Sequence, residues 1–297
     1  MASSKPAIYT ALGANLLIAI TKFIAAAFTG SSAMVSEGIH SVVDTSNEVL
    51  LLLGIHKSNK KPDKKRPFGY GKEIYFWSFI VSILIFGVGA GISFYEGFTH
   101  LHHPKLIENP IWNYIVLGFA FLFDGISFIV ALNNFNKKRG EQPFWVAVKK
   151  SKDPASFVVL FEDAADVLGL TVAFLGVFFG HYFRNPYFDG IASIMIGCIL
   201  TAVSLVITKE SRSLLMGETI SSEILDHVKK ITESNSMIEK VDQQLSMVLS
   251  PKEALLVLKV KVRLGFSSEQ MTQAFCKIKN DIKNQYPHVK QIFIEPQ

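Results

Sequence analysis

Two pairs of ionisable residues stand inside stretches that are otherwise apolar enough to cross a lipid bilayer. His40 and Asp44 form the first pair, and Glu162 and Asp166 form the second. A charge at the centre of a membrane helix costs from about 3 to more than 10 kcal/mol, so such groups face a cavity, a partner or an ion. Residues four apart lie one turn apart on the same helix face. Each helix therefore offers two polar groups in one direction, which suggests one shared site.

The lengths of the apolar stretches predict the architecture. Six of them approach the roughly 20 residues needed to span about 30 Å of hydrocarbon. They are 8–29, 33–56, 74–98, 111–133, 155–180 and 187–208. The chain has 297 residues, of which 49% are hydrophobic, a share that is high for a soluble protein and low for a purely membrane-embedded one. We predict an α-helical membrane protein with a six-helix transmembrane domain over residues 1–210 and a cytoplasmic domain over residues 211–297.

Basic residues in the short loops predict the orientation. Seven lie in the 57–72 loop and six in the 137–152 segment, whereas the intervening loops hold only Lys105 and Arg184. Lysine and arginine accumulate on the cytoplasmic side of a membrane protein. The pattern predicts a multi-pass protein with both termini in the cytoplasm. We expect this protein in the cell membrane. We interpret the lysine runs as orientation signals and contacts with membrane lipids, and expect no nucleic-acid partner.

One imidazole and three carboxylates, from His40, Asp44, Glu162 and Asp166, make a donor set that can close tetrahedrally on a divalent metal such as zinc. Without the metal this site carries three negative charges, so it is expected to take up protons. Metal departure and proton entry then become one coupled event. The metal is cargo, and no resident cofactor is expected. The alternative is that these groups only fix helix packing in a membrane scaffold.

Four further polar residues are accessory candidates: Asn47, Glu48, Asp163 and Asp124. Asn47 lies seven residues after His40 and is a candidate hydrogen-bond partner behind the ligands. Glu48 is either an exit-path carboxylate or an interfacial one. Asp163 either joins the site or points to a neighbouring helix, and Asp124 is either a proton-pathway residue or a packing partner.

Other parts of the chain carry less chemistry. Lys22 in the first span is expected to reach toward an interface or a carboxylate. Cys198 lies in the sixth predicted span and Cys276 in the C-terminal region, so they form no disulfide framework. The spans contain no HExxH motif and no obvious nucleophile with a base, so we predict that the protein is not an enzyme.

The C-terminal region has the pattern of a small soluble α+β unit. From Ser221 the order is helix, strand, strand, helix, strand, an αββαβ, ferredoxin-like arrangement. Residues 256–264 alternate apolar and polar, as a sheet with one packed face requires. Helix 268–285 has Ser267 and Ser268 as candidate caps, and residues 289–294 supply the last strand. The unit is small for independent stability, so pairing with a second copy is plausible.

Four segments resemble signatures of the cation diffusion facilitator family of divalent-metal exporters, in the family's order. They are SEGIHSVVDTSNEVLLLLGI, RPFGYGKE, LFEDAADVLGL and NPYFDGIASIMIGCIL. The resemblance implies a homodimer with packed cytoplasmic tails, and alternating access that expels zinc or a related ion against protons. It also implies that the ligand pairs on the second and fifth spans are His40 with Asp44 and Glu162 with Asp166.

Departures from the family pattern refine this expectation. Glu162 stands where His or Asp is more usual, with Asp163 beside it, which is similar to the branch containing zinc transporter nine. This leaves manganese, iron and cobalt as alternative cargoes. Some relatives have ligands in the loop between the second and third spans. At this place the chain has Asp63, Arg66 and Tyr70. The resemblance therefore predicts no loop site. It also predicts a tail that dimerises without the usual zinc cluster, because Lys259, Lys261 and Glu295 stand where metal-binding relatives have ligands. His227 and His288 are expected to be isolated.

Overall fold

The computed structural model of the protein describes the backbone of residues 4–104 and 110–297, and the side chains from residue 15 onward within those ranges. The first part is helical: α1 (Ser4–Thr29), α2 (Ser32–Ser58), α3 (Glu73–Leu84), α4 (Gly91–His102), α5 (Ile111–Arg139), α6 (Phe144–Lys150), α7 (Pro154–Tyr182) and α8 (Tyr187–Met216). The second part contains α9 (Ser222–Glu233), β1 (Ile238–Ser250), β2 (Glu253–Val262), α10 (Ser268–Gln285) and β3 (Val289–Pro296). Lys105, used in the orientation prediction, lies outside the described residues.

Apolar composition separates the long helices into two kinds. Among the described residues, three stretches are long and apolar enough to cross a membrane, Glu73–His102, Ile111–Arg139 and Tyr187–Met216, and Asn15–Thr29 is a shorter apolar helix. α2 and α7 have 27 and 29 residues and are not among these three stretches. The six-span count therefore stays a prediction.

The third predicted span, residues 74–98, is not one regular helix. A π-helical segment over Ile85–Ala90 separates α3 from α4. This segment contains Gly87 and Gly89, and a Cβ added at Gly89 would stand 3.3 Å from a methyl carbon of Leu200 on α8. π-helical turns interrupt regular helices rarely and often at functional sites. Hydrophobicity predicts the length of the span, but it does not predict this change in helical pitch.

Glycine allows α8 to lie close to α4 and α7. A Cβ added at Gly97 of α4 would stand 2.9 Å from the carbonyl oxygen of Gly190, and one added at Gly176 of α7 would stand 2.5 Å from Cβ of Ala192. Small residues at such crossings let membrane helices approach backbone to backbone. α2 contacts α1, α3, α4, α7 and α8, so other helices surround it.

A short helix occupies part of the 137–152 segment, which the sequence predicts only as a basic loop. In α6 the rings of Phe144 and Trp145 pack against Phe161 of α7, with centroid distances of 6.3 and 5.9 Å. The basic residues still cluster here, but the two aromatic side chains anchor the chain on α7. Aromatic contacts of this kind bury large areas and account for the ordered turn.

The C-terminal unit has the predicted αββαβ order. Its three strands lie in the order β1-β2-β3, with β1 and β2 antiparallel and β2 and β3 parallel. Alternate residues of β2 are buried, namely Ala254, Leu256, Leu258 and Val260. This one-sided core confirms the alternation. α8 continues through residue 210 to Met216, and the division of the chain into two domains stays a prediction.

The ends of the C-terminal elements show one agreement and one error. α10 begins as predicted, because the Ser267 side chain accepts from Gln270 N while the Gln270 side chain accepts from Ser267 N, a capping box. The predicted strand over 256–264 begins three residues late and ends two residues late. β2 ends at Val262, and Leu264 is fully exposed beside Gly265, whose φ of +102° belongs to a turn. Alternation alone did not reveal the turn.

Candidate functional site

Three of the four predicted ligands meet between α2 and α7. His40 Nδ1 lies 3.4 Å from Asp44 Oδ1, and His40 Nε2 lies 3.1 Å from Asp166 Oδ1. One donor atom from each residue fits within a 4.8 Å group. Ligand atoms of a tetrahedral zinc ion stand about 3.3 to 3.5 Å apart, because each Zn–N or Zn–O bond is about 2.0 to 2.2 Å long. The two short contacts use different ring nitrogens of His40, of which a single ion would bind one. With one donor atom per residue, the 4.8 Å group is therefore somewhat wider than a tetrahedral zinc site.

The hydrogen bonding of this cluster is incomplete. Within the described part of the chain, neither ring nitrogen of His40 has a partner with hydrogen-bond geometry, and Asp44 Oδ1 has none either. The 3.1 and 3.4 Å contacts are thus close approaches rather than aligned hydrogen bonds. Buried polar atoms normally have a partner, and two carboxylates beside one imidazole repel each other unless a cation or proton lies between them. The cluster can hold a cation.

Glu162, the fourth predicted ligand, is buried but does not belong to the three-residue group. Its Oε1 accepts a hydrogen bond of 2.7 Å from Nδ2 of Asn47 on α2. Asn47 therefore holds Glu162 one turn from Asp166 on the same helix. The sequence predicts Asn47 as a partner behind the ligands, and its contact with Glu162 has this form.

The remaining accessory candidates have distinct neighbours. Asp163 points to α5, where its Oδ2 accepts from Ser127 Oγ at 3.0 Å, so the alternative of a neighbouring helix describes it. Glu48 Oε1 accepts from Asn15 Nδ2 of α1 at 2.9 Å. Asp124 of α5 lines a cavity of about 20 Å³ together with Asp44 and Asp166. A cavity of this size holds about one water molecule.

A buried ion pair adjoins the cluster. Lys22 of α1 donates to Glu37 Oε2 at 3.0 Å and to Ser41 Oγ at 2.8 Å, and the Lys22 and Glu37 side chains have no exposed surface. Lys22 thus reaches a carboxylate, one of its two predicted environments. The sequence analysis missed Glu37, although it lies three residues before His40 on the same side of α2. Its position in an apolar stretch was the available signal.

The first turn of α2 is bound by a carboxylate from another helix. Asp189 of α8 is fully buried and accepts from Ser31 Oγ at 2.5 Å, from Ser32 N at 2.5 Å and from Ser32 Oγ at 2.8 Å. A negative charge at a helix N-terminus faces unpaired N–H groups and is favourable there. His100 Nδ1 of α4 lies 3.8 Å from the same carboxylate. This end of α2 is fixed to α8.

The loop between α2 and α3, residues 59–72, is organised around Asp63. Its Oδ2 accepts from Tyr70 Oη at 2.6 Å, and its Oδ1 accepts from the backbone N–H groups of Lys65 and Arg66. The Tyr70 hydrogen bond, followed by the backbone donors, lowers the pKa of the Asp63 carboxyl, and the same bond raises the pKa of Tyr70. Both carboxylate oxygens are thus used by the loop itself, and Asp63 acts as a turn-forming residue.

The tail residues that stand in place of metal ligands form ion pairs. Lys259 Nζ lies 3.8 Å from Glu295 Oε2, and Lys261 Nζ lies 2.9 Å from Glu239 Oε1. His227 and His288, expected to be isolated, both flank Tyr286 instead. His227 Nδ1 lies 2.5 Å from Tyr286 Oη, and the ring centroids of Tyr286 and His288 are 6.1 Å apart. The tail brings them near one ring although 61 residues separate them in the chain.

The apolar helices and the enclosed cluster of imidazole and carboxylate groups define a helical membrane protein with a buried polar centre. Residues 8–216 match the family described as the cation efflux transmembrane domain. Since the match covers well over half of the chain, the protein belongs to the cation efflux family. The resemblance to cation diffusion facilitators, and to their zinc transporter nine branch, is confirmed.

The similar proteins include transporters with different named metals. The chain is 32% identical to the proton-coupled zinc antiporter SLC30A9, mitochondrial, of Xenopus laevis over 91% of this chain and 48% of that protein. It is 29% identical to metal tolerance protein C4 of Arabidopsis thaliana over 92% of this chain and 60% of that protein. It is 23% identical to the manganese efflux system protein MneP of Bacillus subtilis over 96% of this chain and 92% of that protein. The chain spans about half the length of the SLC30A9 relatives.

Proposed function

We propose that the protein is a secondary transporter that exports a divalent metal cation, zinc in the first place, from the cytoplasm in exchange for protons. The observation that carries this proposal is the group of His40, Asp44 and Asp166, whose donor atoms lie within 4.8 Å of one another between two helices. The family match and the zinc antiporter relatives support the same assignment.

Proton coupling follows from the charges of this group. The proposed ligand set is His40, Asp44, Asp166 and Glu162, with Glu162 turning from Asn47 toward the ion. Three carboxylates and a neutral imidazole carry a charge of −3, and a bound divalent ion reduces it to −1. In a low-dielectric interior the difference favours proton uptake when the metal leaves. Alternating exposure of the site to the two sides of the membrane then exchanges one ion type for the other.

Manganese is the second candidate cargo. The donor set is one nitrogen and several carboxylate oxygens, without thiolate, and oxygen ligands suit manganese better than they suit zinc. The relative MneP is named for manganese efflux. Iron and cobalt are further cargoes of the same transporter class. A membrane scaffold without transport is the alternative from another class, and it would tolerate loss of the ligand residues.

Uptake of metal into proteoliposomes under a pH gradient tests the proposal. We expect wild-type protein to accumulate zinc, and both Asp44→Ala and Asp166→Ala to reduce uptake to the level of protein-free liposomes while remaining folded. Asp163→Asn is the matched control, because Asp163 lies on the same helix but binds Ser127 of α5. It should keep most of the uptake. Wild-type protein that is inactive for zinc, manganese, iron and cobalt would overturn the transporter assignment.

Glu162→His tests the fourth ligand separately. An imidazole in place of this carboxylate makes the donor set richer in nitrogen, which favours zinc over manganese. We expect retained zinc transport with a changed ratio of zinc to manganese uptake, measured in the same vesicles. Loss of transport of every ion would count against Glu162 as a ligand.

The proposal includes a topology and an assembly. Six spans, with α2 and α7 among them, place both termini in the cytoplasm, and the αββαβ tails pack together in a homodimer. The basic residues of the 57–72 and 137–152 segments support this orientation. The proposed host is the cell membrane. An organelle membrane is the second candidate, because the SLC30A9 relatives are named as mitochondrial.

A further inference from the structure

The ion pair between Lys22 and Glu37 is not explained by helix packing alone. Both side chains are fully buried, and they join α1 to α2 beside the candidate ligands. A buried ion pair seldom stabilises a protein relative to apolar residues of the same size, because desolvation offsets the attraction. Ionisable groups inside a membrane domain are therefore presumed to have a function.

The position of this pair links it to the proposed metal site. Ser41, which accepts from Lys22, directly follows His40 and lines the small cavity that it shares with Asp44, Asp124 and Asp166. Lys22 also interacts electrostatically with Asp124 of α5 and Asp166 of α7. Its ammonium group is therefore one hydrogen bond away from the cavity and is attracted by carboxylates on three helices.

Only one carboxylate oxygen of Glu37, Oε2, accepts a hydrogen bond from Lys22. Its Oε1 has no hydrogen-bond partner in the described part of the chain. This oxygen faces Gly169 of α7, where an added Cβ would collide with it. Gly169 lies three residues after Asp166. The free oxygen is thus directed into the contact between α2 and α7, the two helices that carry the candidate ligands.

We propose that Lys22 and Glu37 form a matched pair of charges that sets the affinity of the neighbouring site for its divalent metal. Lys22 neutralises Glu37 and prevents it from acting as an additional ligand that would hold the ion too tightly for release. Glu37 in turn prevents Lys22 from repelling the ion. The inference rests on the proposed function, since it assumes that His40, Asp44 and Asp166 bind metal.

Electrostatics fixes the sign of each expected effect. A unit charge acts on a divalent ion, at an effective dielectric constant of about 20 and within roughly 10 Å, strongly enough to change affinity more than about tenfold. Glu37→Gln leaves the Lys22 charge uncompensated and should weaken metal binding by at least about tenfold. Lys22→Met leaves the Glu37 charge and should strengthen binding, whereas Lys22→Arg keeps the charge and should bind as wild type does.

The double variant Lys22→Met with Glu37→Gln separates charge from packing. It removes both charges, so the inference predicts an affinity close to that of wild type. If the pair only holds α1 against α2, the double variant should instead bind metal at least as weakly as Glu37→Gln, and Lys22→Met should also bind more weakly. Glu37→Gln keeps a side-chain oxygen of the same shape, so it should fold even where Lys22→Met does not.

Asp189→Asn is the control for the loss of a buried carboxylate elsewhere. Asp189 is fully buried but contacts residues 31–33 of α2, about 12 Å along the helix from His40 at 1.5 Å per residue. Its substitution by Asn should weaken metal binding clearly less than Glu37→Gln does, because the Coulomb energy falls with distance. A loss as large as that of Glu37→Gln would show that any buried carboxylate has this effect, and would overturn the inference.

The measurement is calorimetric titration of the purified full chain in lipid nanodiscs with Zn²⁺ and with Mn²⁺ at pH 8, with size-exclusion chromatography as the folding check. Wild-type protein that binds neither ion would overturn the proposed function and this inference together. Wild-type binding with a double variant no stronger than Glu37→Gln, or with Glu37→Gln unchanged, would overturn the inference alone. Recovery of affinity in the double variant would support it.

Discussion

The helical region and the C-terminal unit place their charged residues in opposite environments. In the helical region Lys22 and Glu37 pair without any exposed surface, and His40 and Asp44 are also buried. In the C-terminal unit, Lys261 and Glu239 form an ion pair with both side chains nearly half exposed. Burial makes a charge costly unless a partner or ligand compensates it, whereas exposed pairs contribute little. The same residue types thus indicate a site in one region and an ordinary surface in the other.

One exposed ion pair of the tail also shifts a pKa. Lys240 has its pKa raised by a hydrogen bond to Asp242 in the exposed tail, where the two atoms are 2.7 Å apart. Such a pair is accessible to salt and water, so its interaction is screened. The comparison predicts that substitutions in the tail change local stability, while substitutions near α2 and α7 change metal affinity.

The largest effect on stability is expected in the core of the tail. Leu256→Ala removes a fully buried side chain from β2 and should lower the free energy of local unfolding by about 2 to 5 kcal/mol. Hydrogen exchange of the amides in residues 238–262 measures this loss. Metal affinity, measured by titration, should not change. A parallel loss of affinity would show that the two regions are coupled and would break the comparison.

Asn47→Ala should have the next largest effect, on metal binding rather than on stability. It removes the amide that donates to Glu162, and loss of a residue that orients a metal ligand typically costs about 10- to 100-fold in affinity. Asn113→Ala is the matched control, because Asn113 is also a fully buried Asn but accepts from Thr29 at the end of α1. Equal losses in the two variants would contradict a specific role for Asn47.

A smaller effect is expected at the start of α10. Ser267→Ala removes the side chain that caps Gln270 N and should destabilise the helix by about 1 kcal/mol. Hydrogen exchange of the first helical turn, residues 268–272, measures the change. Ser268→Ala is the neighbouring control and should alter protection less. If both variants behave alike, the capping box does not stabilise the helix.

The smallest effect is expected for the exposed ion pair of the sheet. Lys261→Gln breaks the 2.9 Å contact with Glu239, and such exposed pairs contribute about 0 to 1 kcal/mol. The difference from wild type, measured by hydrogen exchange of β1 and β2, should disappear at 1 M salt because the Debye length falls to about 3 Å. A loss above 2 kcal/mol, or one that salt does not reduce, would remove the contrast between the two regions.

Periodic patterns predicted more of the fold than single residues did. Alternation in β2 and the serines before α10 led to the right elements, because these signals are local to the chain. The end of β2 before Leu264 and the π-helical segment at Ile85–Ala90 were missed, since neither changes the apolar pattern. Both depend on backbone geometry that hydrophobicity does not encode.

The candidate site was predictable to the extent that its residues share a helix face. The i,i+4 spacing predicts that His40 can meet Asp44, and the matched pair on α7 indicated where a partner would lie. Spacing does not predict which way a side chain turns, and Glu162 turns to Asn47. The pairing of Lys22 with Glu37 depends on how α1 packs against α2, which a single sequence does not show.

The carboxylate of Asp189 has a consequence for how the helices can move. It holds two hydroxyl groups and two backbone N–H groups at the start of α2, with donor distances from 2.5 to 3.4 Å. Sliding α2 past α8 would break all four contacts at once in a place that water reaches poorly. We expect α2 and α8 to move together as a rigid body. Any rearrangement between inward-open and outward-open conformations then bends the chain elsewhere.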